Sequence, residues 1–307
     1  MARRSRGRKP ATRNRGPARH DPREGEPGEP DLLADITGAL EAEHPVAFLG
    51  LASALLAALA PASPTPFAPE PDPETPSREE IVEGLFAVDA LETSALLTAV
   101  AAFSGDELLR RRVHREVARR AHALPRWLAG LERAEPSGRT VEVVHVLRDG
   151  DNVLLGARLP GGADLTAVVY IDHNMGTVVK DAYVVPLGVD DLVEQMLAVA
   201  DDPDTQARDL DPADARIRIS EAIEHGAMTY PPLESEDWPA CRPLVEWLTA
   251  MLPPGGRGEQ RPDWDEAAVA ALADRFFASS FGAAFDDEDG RHLLDSLLWF
   301  RTDYGFG

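Results

Sequence analysis

Arg139–Val185, RTVEVVHVLRDGDNVLLGARLPGGADLTAVVYIDHNMGTVVKDAYVV, is the stretch whose pattern decides the fold. It is strand-like within a chain otherwise spaced for helices. Three connections divide it: Asp149-Gly150-Asp151, Pro160-Gly161-Gly162 and Asp172-His173-Asn174-Met175-Gly176. The segments they leave, 140–148, 152–159, 165–172 and 177–185, are rich in the β-branched and aliphatic residues that suit a pleated surface. Links this short join antiparallel neighbours, so the block reads as a four-stranded meander. The third segment sets Leu165, Ala167, Val169 and Ile171 on one face and Thr166, Val168 and Tyr170 on the other. Apolar side chains on both faces require cover on both sides, and helices are at hand to supply it.

Downstream, helical spacing predicts helices near 189–200, 212–226, 239–252, 264–279 and 288–300, with Asp211-Pro212 as a start signal. Upstream, Ser77-Arg78-Glu79-Glu80 is a capping box, and Ser104-Gly105-Asp106-Glu107 repeats its spacing. These predict a helical region over 78–130: helices from 78 to 103, broken near 90, and from 105 to 123, the second stopped by Pro125. Pro61–Ser77 holds seven prolines in 17 residues, a composition that favours an extended linker. Within 31–60 two apolar stripes, Leu32/Ile36/Leu40 and Phe48/Leu49/Ala52/Leu55/Leu56/Leu59, form a helix pair that needs a partner. Residues 1–30 are Arg, Gly and Pro with too little apolar surface to offset chain entropy, so a disordered basic tail is expected. The fold class is α+β, mostly helical with a central four-stranded antiparallel β-meander (139–186) packed by C-terminal helices out to residue 307.

Charge is distributed unevenly over the 307 residues. Residues 1–23 carry nine basic side chains against Asp21 alone, whereas the remainder has 22 basic and 52 acidic residues. Such a body repels polyanions and anionic membranes, so only the tail or a local patch can bind nucleic acid. The basic residues are 29 Arg and two Lys, Lys9 and Lys180. Cys241 is the single cysteine, which excludes an intramolecular disulfide and a cysteine-rich zinc cage and fits a cytoplasmic setting. Val46–Ala60 is apolar but shorter than the roughly 20 residues a membrane span requires, and it reads as a buried helix. No GxxxxGK[ST], GxGxxG, GxSxG or HExxH motif is present, so nucleotide-loop, dinucleotide, serine-hydrolase and zincin chemistries lack local support.

Two constellations remain. Asp172, His173 and Asn174 end the third strand, and Lys180 and Asp181 lie across the hairpin, where a short loop would set them opposite Val168 or Val169. This set offers an acid, a base and oxygen ligands for a divalent metal. The bland alternative is that Asn174 and Gly176 supply the positive φ of a tight hairpin while the charges reach solvent. Second, Arg111, Arg115 and Arg119 share one helix face and, with Arg3, Arg4, Arg6, Arg8, Lys9, Arg13 and Arg15, would make a two-part phosphate-binding surface unless acidic neighbours neutralise it. Asp286-Asp287-Glu288-Asp289-Gly290 lacks calcium-loop spacing and reads as solvated surface. The functional expectation is a non-enzymatic cytoplasmic interaction or regulatory protein with an unknown protein partner and no resident cofactor, touching nucleic acid through residues 1–23. A metal-dependent or acid–base enzyme at the hairpin is the rival, and a helical scaffold with a large apolar patch is the third reading.

Overall fold

Five antiparallel strands make one sheet in the computed structural model, which describes residues 32–58, 77–145, 148–200, 204–229, 231–258, 266–279, 282–285 and 292. They are β1 (Glu135–His145), β2 (Gly150–Arg158), β3 (Asp164–Asp172), β4 (Val178–Val185) and β5 (Thr205–Leu210), in the order β4-β3-β2-β1-β5. The meander is present, and β5 is added beside β1. Sequence alone misses β5 because TQARDL has little apolar alternation. It is an edge strand held by pairing from Thr140↔Leu210 to His145↔Thr205, and Gln206 and Arg208 on one of its faces are exposed. β1 also starts earlier than expected, at Glu135, through an irregularity between Pro136 and Thr140 where Gly138 takes φ +80°.

The helices are α1 (Leu32–Glu41), α2 (Val46–Ala58), α3 (Arg78–Ala87), α4 (Leu91–Phe103), α5 (Glu107–Arg120), α6 (Arg126–Ala129), α7 (Val189–Ala200), α8 (Pro212–Met228), α9 (Trp238–Ala250) and α10 (Glu266–Ala278). The expected tail, the proline-rich linker up to Pro76, the acidic run 286–290 and nearly all of the helix 288–300 lie outside the described residues. Ser77 caps α3 in a reciprocal box with Glu80. At α5 the cap is Asp106 rather than Ser104: its carboxylate accepts from the amides of Leu108 (2.8 Å) and Leu109 (3.1 Å). Gly105 at φ +65° turns the chain there, leaving Ser104 to close α4. α5 ends at Arg120, with Ala121 in the left-handed region, and Pro125 precedes the next helix instead of stopping this one.

Helices cover both faces of the sheet. Val153, Leu155, Leu165, Ala167, Val169 and Ile171 pack beneath α8 and α9 in a core that continues through α2 and α4. Val141, Val143, Leu154 and Val168 meet Val189, Leu192 and Val193 of α7 on the opposite face. Gly150 lies under the Tyr170 ring, where a Cβ would fall 2.5 Å from ring atoms. No helix among the described residues is long and apolar enough to cross a membrane.

The partner that the N-terminal helix pair requires is α9. Pro243 lies inside this helix and interrupts its hydrogen-bond ladder. Ser53 of α2, fully buried, fills the gap: its hydroxyl donates to the Ala240 carbonyl (2.7 Å) and accepts from the Leu244 amide (3.1 Å). Ser53→Ala should therefore strand two buried backbone groups and cost about 1–3 kcal/mol, read as a lowered urea midpoint at unchanged slope. An unchanged midpoint would mean that α9 closes its own ladder.

Candidate functional site

The β3–β4 hairpin is organised by Asp172. One of its carboxylate oxygens accepts from the amides of Asn174 (3.0 Å) and Met175 (3.1 Å), a side-chain turn that leaves both of those residues exposed. The left-handed positions fall on Gly176 (φ +97°) and Thr177 (φ +58°), so Thr177 takes the place expected of Asn174. The pairing is also displaced from the expected one: Val168 and Val169 face Tyr183 and Ala182, and an irregularity between Tyr170 and Ile171 leaves Lys180 between the partners Val179 and Asp181. The turn spends more residues than a tight hairpin, and the bulge adds another.

The five hairpin residues then diverge. Lys180 Nζ reaches the second Asp172 oxygen at 3.2 Å while staying 41% exposed. Asp181 accepts from the Ser235 hydroxyl at 2.6 Å and from the Ala182 amide at 2.9 Å, and the Ser235 amide donates to the Lys180 carbonyl at 2.7 Å, binding the segment before α9 to the edge of β4. Asn174 points to solvent. His173 turns inward: its Nε2 lies 3.0 Å from Asp151 Oδ2, and its Nδ1 3.3 Å from Thr177 Oγ1.

Asp151 links this imidazole to α8. Arg218 Nη2 donates to the same Asp151 oxygen at 2.6 Å, and Arg218 Nη1 donates to Glu142 on β1 at 2.8 Å. The side chains of His173, Asp151, Arg218 and Glu142 are between 5% and 13% exposed, a buried polar chain clamped between sheet and helix. Burial pushes the Asp151 carboxyl up, but the His173 hydrogen bond and the charges of His173, Arg218 and Arg148 outweigh it and hold the group below its ordinary range. Its other oxygen, Oδ1, is buried with no hydrogen-bond partner.

Sequence reasoning found His173 and missed its partners. Asp151 falls in a connection between strands, and Arg218 lies within the helix expected near 212–226 with nothing in its neighbourhood to single it out. Glu142 carried the available signal, since a carboxylate between Val141 and Val143 on a strand covered on both faces must find a counter-charge. The imidazole–carboxylate pair has the composition of an acid–base dyad. Both of its ring nitrogens are nevertheless engaged, and α8 lies over it. Among the described residues no group of three or more His, Cys, Asp or Glu side chains is placed to hold a metal ion. Cys241, packed against the core, has its thiol pushed up to about 11 by burial and by the charges of Asp181 and Asp237.

The arginine face of α5 is largely neutralised. Arg111 bonds Glu107 at 2.9 Å, Arg119 bonds Glu116 at 2.8 Å, and Arg115 donates to the Arg111 carbonyl at 3.3 Å. Arg120, in the same run, is buried: it bonds Glu116, the hydroxyls of Thr93 and Ser94, and the carbonyls of Leu85 and Phe86. Together Arg119 and Arg120 hold the Glu116 carboxyl down to about 2. The tail residues of the expected phosphate surface, Arg3 to Arg15, lie outside the described residues. No family model, curated protein or solved structure matches the chain, so its function has to be read from geometry.

Two outcomes follow from these contacts. Asp151→Asn would leave Arg218 and His173 short of a buried counter-charge and should cost about 3–5 kcal/mol at neutral pH. A carboxyl lowered on folding contributes stability above its unfolded value near 4, and that stability is lost as pH falls through the folded value. Urea midpoints should accordingly fall less steeply below about pH 4 in the variant than in the parent, and parallel acid limbs would disprove the pairing. For α5, Arg120→Ala should cost on the order of 3 kcal/mol, because the Leu85 and Phe86 carbonyls lose their donor, whereas Arg119→Ala should stay within about 0.5 kcal/mol; comparable losses in denaturant titrations would contradict the difference in burial.

Proposed function

We propose that the chain is a non-enzymatic cytoplasmic interaction or regulatory protein that associates with nucleic acid through its Arg-rich tail, residues 1–23. The observation that carries this reading is the division of the hairpin charges: Asp172, Asp181 and His173 are each closed into separate contacts, so the set expected to do chemistry does not converge on one point. The α5 face adds support. Arg111 and Arg119 are already ion-paired there, whereas the tail holds nine basic residues against one acid. A cationic segment on an acidic body would bind phosphates without sequence preference.

One observation favours an acid–base enzyme as the second reading: the His173–Asp151 pair at 3.0 Å. For that reading a substrate would have to displace Thr177 from Nδ1 and gain entry past α8. His173→Asn separates the two readings, because it would abolish an enzymatic activity and leave tail binding intact.

The test is a salt-titrated binding assay with mixed double- and single-stranded nucleic acid, comparing the full chain with residues 28–307. The full chain should bind, with affinity falling on the order of a thousandfold between about 50 and 200 mM salt if most of the tail cations contact phosphate, and the truncated chain should not. Undiminished binding by residues 28–307 would remove the tail from the mechanism.

A further inference from the structure

A hollow of about 340 Å³ opens where β5 and the end of β1 meet α10. Its lining is basic. His145, Arg148, Arg208 and Arg275 surround it, and among the described lining residues Asp204 is the only carboxylate. Three guanidiniums against one carboxylate is an unexpected balance on a chain of net charge −22.

The backbone explains how they gather. Gln206 and Arg208 stand two residues apart on the same face of β5, opposite Val144 and Glu142 of β1. Arg148 follows β1 in a turn closed by its amide on the His145 carbonyl at 3.0 Å, with φ +50°. α10 brings Arg275 one turn before Ser279. The Ser279 hydroxyl is engaged locally, donating to the Phe276 carbonyl at 2.6 Å and accepting from the Gly282 amide at 2.9 Å.

The three arginines differ from others on the same sheet and its helices. Arg139 holds Asp209 and Asp190, Arg158 holds Asp164, and Arg218 holds Asp151 and Glu142. Among the described residues, Arg148, Arg208 and Arg275 have no carboxylate within 4 Å; Arg208 makes only a 3.4 Å bond to Gln206. Like charges drawn into one concavity raise each other's energy, and an anion seated between them removes that cost. Planar guanidinium forks match phosphoryl oxygens in particular.

Size and lining restrict the ligand further. The hollow has room for about ten waters at roughly 30 Å³ each, enough for a compact polyanion. None of its described lining residues is Phe, Tyr or Trp, so these residues offer no aromatic platform on which nucleic-acid bases could stack. We propose that this hollow binds a small, multiply charged phosphate compound through Arg148, Arg208 and Arg275. The assignment is independent of any role for residues 1–23.

Calorimetric titration of the full chain with inorganic pyrophosphate tests it. Binding should be measurable at about 20 mM salt and weaken at about 150 mM, as charge-driven contacts do. The double variant Arg208→Glu/Arg275→Glu, altered at two exposed positions, should lose at least about tenfold in affinity. Arg111→Glu, the same charge change made on α5, should stay within about twofold because screening limits its reach. Should charge reversal unfold the chain, as judged by circular dichroism, Arg208→Gln/Arg275→Gln supplies the same comparison. Failure of the parent to bind pyrophosphate, or equal affinity in parent and double variant, overturns the site. A single-stranded oligonucleotide that displaces pyrophosphate and binds more tightly, with the same dependence on Arg208 and Arg275, would replace the small molecule with a nucleic-acid backbone.

Discussion

A sheet with apolar side chains on both faces cannot stand in water, and the rest of this protein follows from that constraint. α7 closes one face over Val141, Val143, Leu154 and Val168, while α8 and α9 close the other over Leu155, Leu165, Val169 and Ile171. Neither layer is sufficient alone. Because α9 must lie on the sheet, its outer surface is free to receive α2, and through α2 and α4 the N-terminal helices join the same core. The second layer therefore acts as both lid and floor.

Charges inside this arrangement are tolerated only where a partner is fixed by the fold. Glu142 and Asp151 come from β1 and β2 and His173 from the turn after β3, places that the sheet's register brings near α8, and Arg218 gathers the two carboxylates with one guanidinium. Arg120 does similar service between α5 and the α3–α4 corner, where it satisfies carbonyls at the end of a helix. In both places a fork of planar donors reaches acceptors that a lysine, with its single point of charge, could not bridge together. These arginines are structural members. The exposed ones of the β5–α10 hollow have been left without such duties.

Much of the fold was legible because its signals are local. The period-two pattern of LTAVVYI, the Ser77–Glu80 box and the Asp211-Pro212 start each specify backbone geometry within a few residues. What escaped was specified at a distance. β5 is a strand because β1 offers it an edge, not because TQARDL prefers to be one. Ser104 lost its cap role to Asp106 because Gly105 redirected the chain between them. The candidate site divides in the same way. His173 stood out as a histidine at a strand end, but the residues that determine what it can do lie 22 and 67 positions apart along the chain, measured from His173 to Asp151 and from Asp151 to Arg218.

The Ser53 staple has a further bearing on how the chain is made. Its two bonds join residues 187 and 191 positions apart. At a synthesis rate of about 5–20 residues per second, α2 would leave the ribosome roughly 10–40 s before the helix that covers it. During that interval α2 can pack on α4 and on Trp127, but its α9-facing side stays uncovered. The side of α2 that faces α9, apolar apart from Ser53, thus waits longest for its cover, and during that interval it is the part of the helix open to contact with another copy of the chain.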